Sequence, residues 1–269
     1  YVINFYRLII KERRNYDVVF VHMNPVYVVL GGIIWKILCK PVGFWYVHRA
    51  KTFSLWLSEK FVNSIFTSGK EGFTVATNKS IYLGHGVDIE KTVRHREYKE
   101  ERDGYAILCV GRLMPIKNQE IVIRACGILS RSGVQFRCTF VGGLVTDEDK
   151  EYEENLIRLV SSEGIEDRVF FKGSIAQGNL FPYYWRSGIH INACPTGGLD
   201  KVVIEGMLGV AIPIVENESF RDTLGGYADR LIFRHNDVES LAKCIKDLLE
   251  SDDKEIIRAS LEKKARETF

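Results

Sequence analysis

Short runs of β-branched and aromatic residues recur along this chain, each followed by a longer stretch with helical spacing, and no other feature limits the fold so strongly. The runs are DVVFVH (17–22), GFWYVH (43–48), SIFTS (64–68) and SIYLG (80–84), then YAILCVG (105–111), QFRCTFVG (135–142), RVFFKG (168–173), IHINA (189–193), AIPIV (211–215) and RLIF (230–233). They lack a polar alternation, so the expectation is strands buried on both faces, as in parallel sheets. Helices are expected after Pro25, around 53–61 and from Lys70, then at 117–132, 150–162, 177–186, 200–208, 237–250 and 253–266. The fold class is α/β, with doubly wound parallel sheets.

One stretch breaks the series. Residues 91–104, KTVRHREYKEERDG, are charged and without apolar periodicity. The expected organisation is an incomplete first domain over 1–95, a linker over 96–104, a full domain over 105–250 and a last helix over 251–269. The first series is short for an α/β partner and opens on a helix-like segment, VINFYRLIIKERR, while the last helix stops in mid-pattern. The expectation is a chain cut at both ends. The apolar segment Met23–Val47 is interrupted by Lys36, Lys40 and Pro41, and the run before Lys36 is too short to span a bilayer.

With 46% apolar and 12% aromatic residues the chain can bury real cores, which excludes a disordered or fibrous protein. The formal charge is +2, yet residues 1–100 alone carry 15 basic and 8 acidic side chains. A basic first part, with Phe5, Tyr6 and Trp56 expected at its surface, suits peripheral contact with an anionic membrane, as well as a merely solvated surface. Six scattered cysteines without a C-x-x-C pair read as small core residues in a reducing, cytoplasmic setting, with no metal site. No G-x-G-x-x-G follows a predicted strand, which argues against a dinucleotide dehydrogenase. No basic stripe interleaved with aromatics appears, which argues against nucleic acid as a partner.

Two motifs carry chemistry. In VGRLMPIKNQE (110–120) a strand ends at Gly111, Arg112 follows, and Lys117 lies near the next helix start. Two cations beside a helix N-terminus at the carboxyl end of a parallel strand form a diphosphate clamp. A surface arginine and a surface lysine would look the same taken alone. In NACPTGGLDKVVIEGMLGVAIPIV (192–215) a strand, a turn with Gly197 and Gly198, a helix and a strand follow one another, with Asp200 as the expected helix cap. Glu205 is either a solvated helix residue or a carboxylate facing the site. Its apolar neighbours Val202, Val203, Ile204, Met207 and Leu208 favour the second.

Together, VGR with the following Lys-Asn, FVGG, VFFKGSI and LDKVVIEGMLGVAIPIV resemble the nucleotide-binding half of the retaining glycosyltransferases of family four, which have the GT-B fold. Upstream, VVFVHMNP, FWYVHRA, IFTSGKEGF and YLGHGVD are similar, in order, to the later part of their N-terminal domain. The resemblance implies two Rossmann-like domains facing a cleft, the N-terminal one incomplete here, so that this chain by itself is expected to turn over little or no substrate. It implies transfer of a sugar, with retention and without a metal or other cofactor, from a UDP- or GDP-sugar to a glycan or lipid-linked acceptor, as in cell-envelope polysaccharide synthesis. By position, Arg112 and Lys117 would hold the donor diphosphate, and Glu205 the ribose. Gly173, Ser174 and Ile175 would bind the base. Gly111, Gly197, Gly198 and Leu199 would approach the donor, and His48, with His22 nearby, would face the donor sugar. The family pattern has a Glu eight positions before Glu205, where this chain has Gly197, which bears on sugar handling. A non-catalytic nucleotide-sugar-binding module is the alternative, and so is an epimerase of the same fold, although its catalytic carboxylates and histidine do not assemble here.

Overall fold

Two units divide the chain, residues 1–86 and 87–269. The computed structural model describes residues 1–48, 51–69, 73–84, 86–87, 102–195 and 199–269.

In the first unit the order is α1 (Val2–Glu12), β1 (Val19–His22), α2 (Pro25–Ile37), β2 (Val42–Trp45), α3 (Phe53–Glu59), β3 (Ser64–Thr67) and β4 (Ser80–Tyr82). Helix α2 starts where local chemistry dictates: Pro25 occupies its first position, and the Asn24 side chain accepts from the Val26 N–H at 3.1 Å. Of the helix expected from Lys70, residues 70–72 lie outside the described residues, and 73–79 are not helical.

All four strands are parallel and stand in sequence order, β1-β2-β3-β4. Right-handed crossovers that always step the same way put their helices on one face of the sheet. Val21, Phe44, Ile65 and Thr67 are therefore buried, whereas Phe20 on the opposite face is 60% exposed and meets Phe66 across Gly43, ring centroids 6.0 Å apart. The expectation that these strands are buried on both faces is corrected here. Among the aromatics expected at the surface, Phe5 packs edge-on against Trp35 in this unit's core and Tyr6 is half-buried. Trp56 is exposed and stacks on Phe53.

The second unit runs β5 (Asp103–Val110), α4 (Gln119–Arg131), β6 (Arg137–Val141), α5 (Asp147–Glu163), β7 (Val169–Phe171), α6 (Phe181–Arg186), β8 (Ser187–Asn192), α7 (Lys201–Leu208), β9 (Ile212–Val215), α8 (Val238–Leu249) and α9 (Lys254–Thr268). β5 thus begins inside the stretch expected as a linker, whose residues 96–101 lie outside the described residues. The parallel order is β7-β6-β5-β8-β9, so the direction of travel reverses at β5. Reversal sends crossovers to both faces. α4 packs with α5 and α8, α7 packs with α6 and α9, and every residue of β8 and β9 is buried. The strand expected at 230–233 is instead a helical turn, Ala228–Leu231, followed by a single parallel bridge from Ile232 to Val215. Its Leu231 and Phe233 still enter the core, while Arg230 turns outward to Asp253 at 2.6 Å.

All six cysteines are free, and Cys109, Cys126, Cys138 and Cys194 are buried. A hydrogen bond with Cys138, then burial, pushes the Cys126 thiol well above its ordinary range, and a bond with Cys109, then burial, does the same for Cys138 against the opposing effect of Cys126. No helix among the described residues is long and apolar enough to cross a membrane.

The ends of β5, β6 and β7 are tied closely. Gly111 donates its N–H to the Val141 carbonyl, and Gly142 donates to the Gly173 carbonyl, both at 2.9 Å. A Cβ on Gly142 would stand 1.9 Å from the Gly111 carbonyl oxygen. Gly142→Ala is therefore expected to destabilise the protein by about 1–3 kcal/mol. Gly178→Ala, whose Cβ would meet nothing within 4 Å, serves as the neutral control. Equal urea midpoints for the two variants would contradict this packing.

Candidate functional site

Where the order of a parallel sheet reverses, the two diverging crossovers leave a crevice outside the carboxyl ends of the central strands. Here those strands are β5 and β8, and the two motifs singled out from the sequence begin at their ends. Gly111 follows β5 with φ of 153°, a backbone conformation that a side chain resists. Lys117 follows in a 3₁₀ turn, Pro115–Lys117, and the aliphatic stem of its side chain passes within 4.0 Å of where a Cβ on Gly111 would stand. Asn118, with φ of 51°, joins that turn to α4. Its side chain donates to Asn236 Oδ1 at 3.1 Å, and the Asn236 N–H donates to Glu216 Oε1 at 2.9 Å. This chain of bonds pins the turn that carries Lys117.

From there a closed circuit of contacts runs through most of the expected residues. Lys117 Nζ donates to Asp200 Oδ2 at 2.8 Å, and Asn192 Nδ2 donates to the same oxygen at 2.9 Å. Asp200 precedes α7, whose Glu205 accepts from Gln177 Nε2 at 3.1 Å and from the Tyr184 hydroxyl at 3.3 Å. Tyr184 belongs to a small core cluster against which Ile175 packs. Ile175 continues the turn of Gly173 and Ser174, where Gly173 has φ of 67°. A Cβ on Gly143 would stand 3.2 Å from Ser174 Oγ, and Gly142 bonds Gly173, which returns the circuit to Gly111. Leu199 is half-buried against the core of this unit. Two helix N-termini, those of α4 and α7, end at this edge, and the positive ends of their dipoles favour an anion.

Neither expected cation is bare. Arg112 donates from Nε to Asp149 Oδ2 at 2.8 Å and from Nη2 to Oδ1 at 3.1 Å. The same Asp149 Oδ2 accepts the N–H groups of Val145 and Thr146, in the capping box that starts α5. The Arg112 guanidinium, ahead of the two backbone donors, holds the Asp149 carboxyl well below the usual carboxylate range. The expected role of Asp200 is corrected: it stands at the cap position of α7 but makes no side-chain capping bond, and its carboxylate serves Lys117 and Asn192 instead.

Sequence reasoning missed Asp149, Asn192, Tyr184 and Gln177. The T-x-x-D spacing of Thr146 and Asp149 announces a capping box, but nothing local announces that its carboxylate meets an arginine 37 positions earlier. Gly197 and Gly198 lie outside the described residues. His22 and His48 belong to the first unit, at and just beyond the carboxyl ends of the neighbouring strands β1 and β2, and both are exposed. The His48 ring packs against Tyr46, centroids 6.5 Å apart.

The family model described as glycosyl transferases group 1 matches residues 90–268. No curated protein matches the sequence. Among solved structures, Alr3699/HepE of Anabaena in complex with UDP superposes with a TM-score of 0.83 at 16% identity, covering 98% of this chain and 78% of that one. A glycosyltransferase from Rickettsia africae ESF-5 gives 0.80 at 15% identity, over 100% of this chain and 77% of that one. Sucrose-phosphate synthase from Thermosynechococcus elongatus gives 0.79 at 15% identity, over 100% and 73%. At these identities the likeness is one of fold, the two-unit parallel α/β architecture of the GT-B type.

The Arg112–Asp149 pair generates a test by pH. A carboxyl whose folded pKa is lowered stabilises the fold above its unfolded value, near 4, and that stability is lost as pH falls through the lower folded value. Asp149→Asn is expected to melt below wild type at pH 7, with the gap narrowing as pH drops beneath about 4. A gap constant from pH 7 to pH 2 would show that the pair contributes nothing through its charge.

Proposed function

The chain belongs to the group 1 glycosyl transferases, and we propose that it moves a sugar, with retention of configuration, from a UDP- or GDP-sugar bound at the β5–β8 edge of its second unit. The observation that carries this reading is the circuit linking Gly111, Lys117, Asp200, Glu205, Ile175 and Gly173 beside two helix N-termini. It brings one cation, Lys117, near a carboxylate, Glu205, and the open turn at Gly173, a set that suits a diphosphate, vicinal hydroxyls and a base.

Each group has one task in this mechanism. Lys117 exchanges Asp200 for the diphosphate, and Arg112, fixed by Asp149, adds a second positive charge. As the bond to the sugar breaks, negative charge grows on the distal phosphate, and these fixed cations favour that state over the bound donor, the part a metal ion plays elsewhere. Glu205 accepts the ribose hydroxyls, and Gly173, Ser174 and Ile175 take the base through their backbone. Leu199 approaches the donor. The acceptor is a glycan or a lipid-linked glycan, reached from the cytoplasmic side. Peripheral contact with an anionic membrane falls to the basic first unit, where α1 exposes Ile3 and Ile10 beside Arg7 and Lys11. Equal sedimentation with neutral and anionic vesicles at low salt would remove that contact from the proposal.

Calorimetry with UDP and GDP, chelator present, tests the site. One of the two is expected to bind wild type, and Asp200→Asn, which frees Lys117, is expected to bind it several-fold more tightly. Lys117→Ala is expected to lose affinity and, with an active donor and acceptor pair, to lower kcat by about 10²–10³. Binding that required magnesium, or that ignored both substitutions, would overturn the clamp.

A further inference from the structure

Glu205 is held from beneath by a residue with no place in the mechanism above. Tyr184, on α6, is 1% exposed, and its hydroxyl reaches Glu205 Oε2 at 3.3 Å. The ring is fixed on every side that the structure describes. It belongs to the cluster of Leu108 and Val141, and it meets His190 edge-on, centroids 5.3 Å apart at 85°. Helix α7 is seated directly on this pair. A Cβ on Gly209 would stand 2.4 Å from Tyr184 Cβ, and one on Gly206 would stand 2.9 Å from His190 Nδ1. The glycine next to Glu205 and the glycine one turn on thus bring the helix down until the phenol meets the carboxylate. Burial, then the Glu205 charge, raises the Tyr184 pKa well above its ordinary value, so the hydroxyl stays protonated and donates. Burial pushes the His190 imidazole down to about 3, so it stays neutral beneath the ring.

We infer that Tyr184, assisted by Gln177, is a positioning residue that orients the Glu205 carboxylate to receive the two hydroxyls of a ribose. The inference rests on the ribose role proposed above for Glu205. A carboxylate has about four acceptor sites on its two oxygens. Tyr184 uses one on Oε2 and Gln177 uses one on Oε1, at 3.1 Å, which leaves one acceptor on each oxygen. Two such acceptors match a vicinal diol and are half wasted on a nucleotide that lacks one hydroxyl. The pair thereby converts a rotatable side chain into a reader of ribose against deoxyribose.

The experiment compares UDP or GDP, whichever wild type binds more tightly, with its 2′-deoxy and 3′-deoxy forms by calorimetry on the full chain. Wild type is expected to prefer the ribonucleotide. Tyr184→Phe, which keeps the ring and removes the donor, is expected to bind the ribonucleotide about three- to tenfold more weakly while its deoxy affinities stay near wild type. Gln177→Ala, at an exposed position, is expected to move the same way by a smaller factor and covers the case of a misfolded Tyr184 variant. Equal losses for ribo and deoxy forms in both variants, or no loss in either, would overturn the inference. Glu205→Gln separates the two claims: if it kept full wild-type preference for the ribonucleotide, the ribose role of Glu205 would fall, and the inference with it. If Glu205→Gln lost that preference while the Tyr184 and Gln177 variants kept it, only the inference would fall.

Discussion

The fit of β8 against β5 is the constraint on which the second unit rests. The two strands are pressed so close that a Cβ on Gly188 would stand 2.5 Å from the Gly104 carbonyl oxygen. Because the chain turns one way from β5 to β6 and the other way from β8 to β9, α4 and α7 leave the same edge of the sheet on opposite faces. Their N-termini converge, one bringing Lys117 and the other Asp200. The first unit obeys the same handedness without a reversal and ends as a sheet covered by its helices on one face. Strand order, more than strand composition, separates the two outcomes.

The two cations at this edge are held in different ways. Arg112 is locked by a buried carboxylate with four donors directed at its oxygens, so it behaves as a fixed charge. Lys117 shares one oxygen of a third-exposed Asp200 with Asn192. Pairs that solvent can reach contribute only about 0–1 kcal/mol, so an incoming anion can replace Asp200 at small cost. The clamp proposed above would combine a preorganised cation with an exchangeable one.

How much of this was legible in the sequence follows from the range of each signal. Parallel strands and their helices were readable because apolar periodicity is local, as were Gly111, Lys117 and Glu205, each placed by a strand end or a helix start. Asp149 and Tyr184 were not, because each acts on a residue far along the chain through a contact that only the tertiary fold creates. The run at 230–233 misled because an apolar quartet satisfies the core equally well as a helical turn. Residues 17–22 misled more gently: the parallel strand was right, but periodicity alone does not say which of its faces the described residues cover, and Phe20 is exposed among them.

The free thiols divide unevenly between the units, and this gives the molecule a built-in clock for its own opening. The first unit has only Cys39, which is exposed and open to an alkylating reagent in the native state. In the second, Cys126 and Cys138 lie fully buried with their thiolates disfavoured, so a reagent reaches them only after α4 separates from the sheet. Labelling of Cys39 therefore calibrates the reagent. The delay at Cys126 and Cys138 then measures how often the second unit opens, without any probe being added.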